Sequence, residues 1–428
     1  MIQEPDYPNF RWFVLLALII ATAASTVLMI APAPLIGEIS TALAIHPGHA
    51  TTLMMGTWQI VGATSCLVAG FFVDRFGPAK LMVAGCIIHI VPSLLFPLAG
   101  THLGWLLALR IVQALGMGPI NAVLGVLAAT WFPVRQRGAV AGLQGMSTSA
   151  GVLLGFLIAP ATYVHTSNWL ATMQWMVVAP IVALIFSCVL LFGPKPPAFQ
   201  QDEADKPDSA SQGIFAEALR SGSTWALIAC VFVTCWFFTG VNDLVPGYIA
   251  IAPPMGLGYG PVLAGKVMGI YQILFMLGAL LVGFIFEKAF RGNVKVTLSV
   301  GFLLSAVLIC SILLRTVNAT APRLGVVLSI AGFFGAWAIP VVMAFISINY
   351  HHSIVGRLTG LAFGIGLYAG VPAIFVGATA LKLTGSYHAS IYIVTAVALI
   401  GLVICQFLKP DRRGSEEKAA HLGSCRES

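Results

Sequence analysis

Four charged side chains sit where this sequence is most apolar, and their types and spacing make them the groups best able to do chemistry. Arg110 lies within the run 103–131, Asp243 within 225–251, Lys266 near the start of 262–286, and Glu38 just past the end of 12–36. Exposing such a charge to hydrocarbon costs roughly 3 kcal/mol or more, so each is expected to face protein or water. Arg110 stands about seven residues, or about 10 Å at 1.5 Å per residue, inside its run. It can act as counter-ion to an anionic solute or as electrostatic partner of a proton-carrying carboxylate. The plainer roles are a structural pair or an arginine snorkelling to lipid headgroups. Asp243 follows Asn242 and precedes Pro246 and Gly247. Helix-breaking residues there change solvent access, and with it the protonation of a carboxyl, which suits a proton carrier or a gate equally. Two acids and two bases are therefore expected together near one mouth.

A second set of residues is polar or aromatic at mid-depth. Trp58, Gln59, Gln113, Asn121, Gln144, Tyr271, Gln272 and Trp337 are candidates to line a central cavity, with helix packing as the competing role for each. His89 is expected to be a satisfied interior histidine, and Met54 and Met55 to be packing.

These residues must be held by elements that live in lipid. The chain has 428 residues, 58% hydrophobic and 9% charged, with a mean hydropathy of +0.94; average soluble domains carry about 25% charged residues. Apolar runs near the roughly 20 residues needed to cross a bilayer occur twelve times, at 12–36, 51–73, 81–99, 103–131, 138–161, 170–192, 225–251, 262–286, 296–314, 324–348, 359–381 and 391–408. If the amino terminus is cytoplasmic, 17 of the 22 Lys and Arg residues fall on the cytoplasmic side, as the positive-inside rule requires. Both termini are then cytoplasmic. The net charge of +7 is spread between apolar runs, which argues against a nucleic-acid partner. Seven of the 8 cysteines lie inside those runs, giving no disulfide framework and no metal spacing. The first run is too long for a signal peptide. No phosphate-binding loop of a pump is present, and His351 and His352 without an acidic companion are too little for a membrane enzyme. A channel is compatible with composition alone.

The polar stretch 193–224, rich in Pro, Ser and both charge signs, divides the runs six and six. It reads as a flexible linker, with a short surface helix at 214–219. The boundaries expected are 1–192 and 225–408 for two six-helix halves, 193–224 for the linker, and 409–428 for a disordered tail. An internal repeat supports this division: Gly70, Asp74 and Arg75 at the end of run two match Gly283, Glu287 and Lys288 at the end of run eight. A weaker match, with a small shift, sets Arg137, Gly142, Leu143, Ala150 and Gly151 against Arg357, Gly360, Leu361, Ala369 and Gly370.

Gly70, Asp74, Arg75 and Gly77, in the order Gly-x-x-x-Asp-Arg-x-Gly, resemble the signature of the major facilitator superfamily between spans two and three. Arg110, Gln113 and Gly116 resemble the family's Arg-x-x-Gln-Gly-x-Gly, with Ala114 replacing the first glycine. Trp131-Phe132-Pro133 followed by Arg137-Gly138 is similar to the boundary between spans four and five in many members. The chain departs in having one base, Lys80, after the first signature, and in lacking the Gly-Pro-x-x-Gly-Gly ending of drug/proton antiporters.

The resemblance implies an all-α integral membrane fold with twelve transmembrane helices, rocking as two halves around a midplane site. A latch is expected at Asp74 and Arg75, where the Asp74 carboxylate can pair with Arg137 or Arg357; the resemblance implies that its neighbour is span eleven, and the repeat supplies a second copy at Glu287 and Lys288. Glu38 and Lys266 complete the expected gate residues. The activity expected is proton-coupled uptake of a small organic anion by a monomer in the bacterial inner membrane, driven by a proton or ion gradient and without a cofactor. The alternative is a drug or metabolite efflux antiporter. A phosphatase fused at residue 223 is expected to be inactive, while a fluorescent protein fused after residue 428 matures; an active phosphatase would invert the topology.

Overall fold

The computed structural model describes residues 8–195 and 209–409. Twelve helical segments are long and apolar enough to cross a membrane: α1 (Phe10–Ala42), α2 (Pro47–Val73), α3 (Pro78–Ala99), α4 (Leu103–Trp131), α5 (Gln136–Thr166), α6 (Trp169–Phe192), α7 (Gly222–Ala250), α8 (Gly260–Lys288), α9 (Val294–Ser311), α10 (Ala321–Asn349), α11 (Ser353–Thr384) and α12 (Tyr387–Phe407). They coincide with the twelve expected runs apart from their ends. Two ends shift most: α11 begins at Ser353 rather than 359, and α1 continues to Ala42, so Glu38 lies inside a helical extension rather than beyond it. The expected surface helix is present and longer, at Ser209–Arg220. Residues 196–208 of the linker, and the expected disordered tail after Lys409, lie outside the described residues.

Spans α1 and α2 are broken near the end of the bundle opposite the chain termini. In α1 the helix Phe10–Ile30 gives way at Pro32 and Pro34 to the 3-10 turn Ala33–Leu35, then resumes as Ile36–Ala42. Proline has no N–H and cannot continue the ladder. In α2 a π-turn occupies Thr52–Gly56 between the short helix Pro47–Thr51 and the long helix Thr57–Phe76.

Helices within each half cross closely where glycine removes the side chain. A Cβ on Gly278 of α8 would run into the Phe333 carbonyl of α10, and one on Gly151 of α5 into Thr26 and the Ala23 carbonyl of α1. Between the halves the close approaches all lie towards the face distal to the termini. Gly37 of α1 meets Ile251 after α7, Gly48 and Gly56 of α2 meet Lys382 and Phe375 of α11, and Gly265 of α8 meets the Phe156 carbonyl of α5. At mid-depth Thr64 of α2 and Tyr368 of α11 share a hydroxyl contact of 3.4 Å. Nearer the termini, a Cβ on Gly138, Gly142 or Gly145 of α5, or on Gly356, Gly360 or Gly364 of α11, would meet no atom within 4 Å. The seam is closed on the distal face and open on the terminal face.

Gly278→Val is expected to lower stability by about 1–3 kcal/mol through overpacking, read as a fall in thermal midpoint. Gly142→Ala and Gly360→Ala are expected to stay within about 0.5 kcal/mol of the parent or above it. Equal midpoints for all three proteins would contradict the close crossing of α8 and α10.

Candidate functional site

The breaks in α1 and α2 determine what Arg110 does. The helical donor for the Leu28 carbonyl would be the N–H of residue 32, which is a proline, and Met29 lies at the same break. Met54 lies in the π-turn, where the widened ladder also leaves carbonyls without their usual donors. Arg110 reaches all three. Its Nε donates to the Met54 carbonyl at 2.7 Å, Nη1 to the Leu28 carbonyl at 2.9 Å and Nη2 to the Met29 carbonyl at 2.9 Å. Nη1 also donates to Gln113 Oε1 at 2.7 Å, and the guanidinium lies 4.5 Å from the centre of the Trp58 ring.

The network continues through the N-terminal half. Gln113 Nε2 donates to Ser93 Oγ, and the Ser93 hydroxyl donates to the His89 carbonyl, both at 2.7 Å. His89 stacks on Trp58 with centroids 5.6 Å apart, and its Nε2 stands 3.1 Å from Ser25 Oγ. Parts of α1, α2, α3 and α4 are thereby joined through one buried cation. Arg110, Gln113 and Trp58, expected to face a solute, are instead committed to the interior of their own half. Arg110 is 1% exposed and four of its five N–H groups are used by the protein, so it is not placed to grip an anion directly.

Across the seam, α7 buries Asp243 with neither carboxylate oxygen hydrogen-bonded. The Gln59 amide of α2 reaches towards it without closing a hydrogen bond, and Arg110 is the cation that acts on it through space. Gln59 also lies against Gly370 of α11, close to Thr239 of α7. Other buried polar atoms of the C-terminal half lack partners too: Asn242 Oδ1, the Tyr271 hydroxyl and both ends of the Gln272 amide. Asn242 Nδ2 is used by the Phe238 carbonyl at 2.8 Å. Trp337 is not at a cavity wall; its ring packs against Phe290, Phe333 and Phe334. Asn121 and Gln144 form a polar patch with Thr22, at 3.5 Å and 3.4 Å from Gln144 Nε2.

The expected four-charge cluster separates. Arg110 and Asp243 act on each other, whereas Glu38 accepts from the Tyr163 hydroxyl at 3.1 Å and Lys266 is exposed on α8. Glu38 instead borders a distal vestibule of about 580 Å³, with Thr41, Ile45, Ile251, Met255 and Pro261. Equal depth along two helices did not mean equal direction around them.

The residues expected to form the latch lie on the open face. Arg137 donates to the Phe132 and Ala129 carbonyls at 3.3 Å and 3.1 Å, closing the end of α4. Arg75 lies over the Phe76 ring, and Glu287 and Lys288 are exposed. Arg357 is half-buried and makes no ion pair among the described residues, and the Asp74 side chain lies outside them. Sequence reasoning missed Ser25, Ser93 and the three carbonyls that Arg110 serves. The signal for the carbonyls was Pro32 and Pro34, which sit in the same first run.

A fold of twelve helices closed at one end around a buried charge pair is that of a secondary transporter. The profile of the Major Facilitator Superfamily matches residues 13–371, and the chain belongs to that family. It is a multi-pass membrane transporter and not an enzyme. It is 24% identical over 364 residues to the uncharacterized MFS-type transporter YcxA of Bacillus subtilis, covering 82% of this chain and 83% of that protein. The glucose transporter GlcP of Staphylococcus epidermidis is 23% identical, covering 71% and 72% of the two chains. The cis,cis-muconate transport protein of Acinetobacter baylyi is 26% identical, covering 56% and 57%. Its fold is similar to that of a bacterial homologue of the human lysosomal transporter Spinster, solved inward-facing and unoccupied. The TM-score is 0.71 and the identity 14%, over 94% of this chain and 95% of that one.

Arg110→Lys keeps the charge but cannot span three carbonyls with one ammonium. With buried acceptors left unsatisfied at about 1–3 kcal/mol each, it is expected to lose about 3 kcal/mol or more, and Gln113→Leu about 1–2 kcal/mol. Thermal unfolding of the purified proteins checks this; an Arg110→Lys protein as stable as the parent would remove the structural role.

Proposed function

We propose that the chain is a proton-coupled importer of a small organic anion, working as a monomer in the bacterial cell membrane. The lysine and arginine distribution supports cytoplasmic termini, which makes the open face cytoplasmic and the distal face external. The observation that carries the reading is Asp243, buried without a hydrogen bond and acted on across the seam by Arg110.

Ionised, Asp243 offsets the fixed charge of Arg110. Once it takes a proton, one positive charge remains in a medium that screens it weakly, and an anion nearby becomes favourable. Binding of the proton and binding of the anion then assist each other, which is the requirement for symport. Arg110 acts here through its field while its N–H groups stay with the carbonyls. Direct hydrogen bonds to the solute fall to groups without partners, Tyr271, Gln272 and Asn242, with Gln59 at the seam. The muconate relative supports a carboxylate cargo, while the glucose relative is named for a neutral sugar. No cofactor is required, since the proton gradient supplies the energy.

Asp243→Asn fixes the neutral form. In proteoliposomes it is expected to keep solute exchange while losing accumulation driven by an imposed proton gradient, and to abolish solute-linked alkalinisation outside. Loss of exchange together with accumulation would make Asp243 a gate instead. Deletion that sensitises cells to toxic compounds, with growth on carboxylates intact, would favour efflux.

A further inference from the structure

Among the described residues, the distal closure contains a contact at His46 that is polar, titratable and shared by both halves. His46 lies between α1 and α2, with extended backbone angles (φ −63°, ψ 139°), and caps the helix Pro47–Thr51 by accepting the Gly48 N–H on Nδ1 at 3.1 Å. Accepting needs a lone pair on Nδ1, so the cap exists only while the ring is neutral with its proton on Nε2. His49 stands on the same short helix, its ring centroid 6.5 Å away. From the other half, Lys382 of α11 comes so near that a Cβ on Gly48 would stand 2.8 Å from its Cγ and 3.3 Å from His46 Nδ1.

Among the described residues, no group of opposite charge acts on His46. The π-turn Thr52–Gly56 has no titratable side chain, and the helix Ile36–Ala42 has only Glu38, which is engaged by Tyr163. Burial first, then His49 and Lys382, hold His46 below the ordinary histidine value of 6.5. Opening the seam would remove the burial and the lysine, so the proton binds more tightly to the open form. Closure is therefore fully favoured above about pH 6.5 and weakens as pH falls below it, levelling off once the closed form also protonates.

We propose that His46 is a proton-operated latch on the distal face. Neutral, it caps the helix that seats α2 on α11; protonated, it gives up the cap, sets a second positive charge against Lys382, and releases the seam. This gate is separate from Asp243 and needs no solute.

Spin labels at Thr41 and Leu383, both exposed and on opposite halves, report the distal opening of the full chain in lipid nanodiscs. The wider distance population is expected to grow about threefold or more between about pH 8 and about pH 5. His46→Asn, an uncharged residue that caps well, is expected to hold the closed distance at both pH values. Lys382→Met removes the charge that protonated His46 is set against and is expected to shrink the pH-driven opening by about half or more. An unchanged parent distance, or full opening in His46→Asn, overturns the proposal. Loss of the response in His49→Asn alone would assign the titration to the wrong ring. Because no solute is present, these outcomes are independent of whether Asp243 couples uptake to protons.

Discussion

Helix breaks inside an apolar bundle create a demand that water cannot meet. Pro32 takes away the donor for the Leu28 carbonyl, and the π-turn Thr52–Gly56 loosens the ladder at Met54. Each buried acceptor left alone costs about 1–3 kcal/mol. A guanidinium is well suited to the task, since it presents five donors in a rigid fork and sheds its hydration more readily than an ammonium. Arg110 therefore ties α4 to α1 and α2, and Gln113 and Ser93 extend the tie to α3. The charge that comes with those donors is then fixed in the interior. Its response from the other half is Asp243.

The two halves differ in how they treat their buried polar groups. In the N-terminal half, Arg110, Gln113, Ser93 and His89 Nε2 have partners, while Trp58 Nε1 and His89 Nδ1 do not. In the C-terminal half, Asp243, Tyr271, Gln272 and one end of Asn242 do not. Unsatisfied groups in a folded interior need a compensating reason, and a solute or water at that position supplies one. The N-terminal half then holds its buried cation in a bonded network, while the C-terminal half sets the unpartnered groups of Asn242, Tyr271 and Gln272 on α7, which also carries Asp243, and on α8. Such a division suits a transporter in which one half rocks against the other, because the fixed field and the solute contacts do not have to move together.

The sequence made the twelve spans legible because a helix rising 1.5 Å per residue needs about 20 apolar residues to cross a bilayer, a pattern with little competition. Depth was legible for the same reason, and Arg110 does lie deep and buried. Direction around a helix axis was not. Lys266 and Glu38 sit in the outer parts of their spans, yet Lys266 faces outward and Glu38 turns to Tyr163. Trp337 lies at mid-depth but falls among Phe290, Phe333 and Phe334. The partners of Arg110 were hidden for a different reason, since three of them are backbone carbonyls that any residue carries. Only the prolines that orphaned one of them left a mark in the sequence.

The closed and open ends of the seam are built from different material, and this bears on how the molecule can change state. Distal contacts are close helix crossings at Gly37, Gly48, Gly56 and Gly265, with the hydroxyl contact of Thr64 and Tyr368 at mid-depth. Among the described residues no ion pair is closed within these distal contacts, and the buried charges that face each other across the seam are Arg110 and Asp243. At the terminal face, by contrast, Arg75, Glu287 and Lys288 are exposed and already solvated. A carrier needs its two states within a few kcal/mol, because a ligand shifts populations only by its differential affinity for them. A distal seam of small-residue contacts, opposed by a terminal face whose charges lose hydration when they pair, keeps both terms modest. The single buried charge pair, Arg110 and Asp243, then stands out as the element whose energy changes most when a proton arrives.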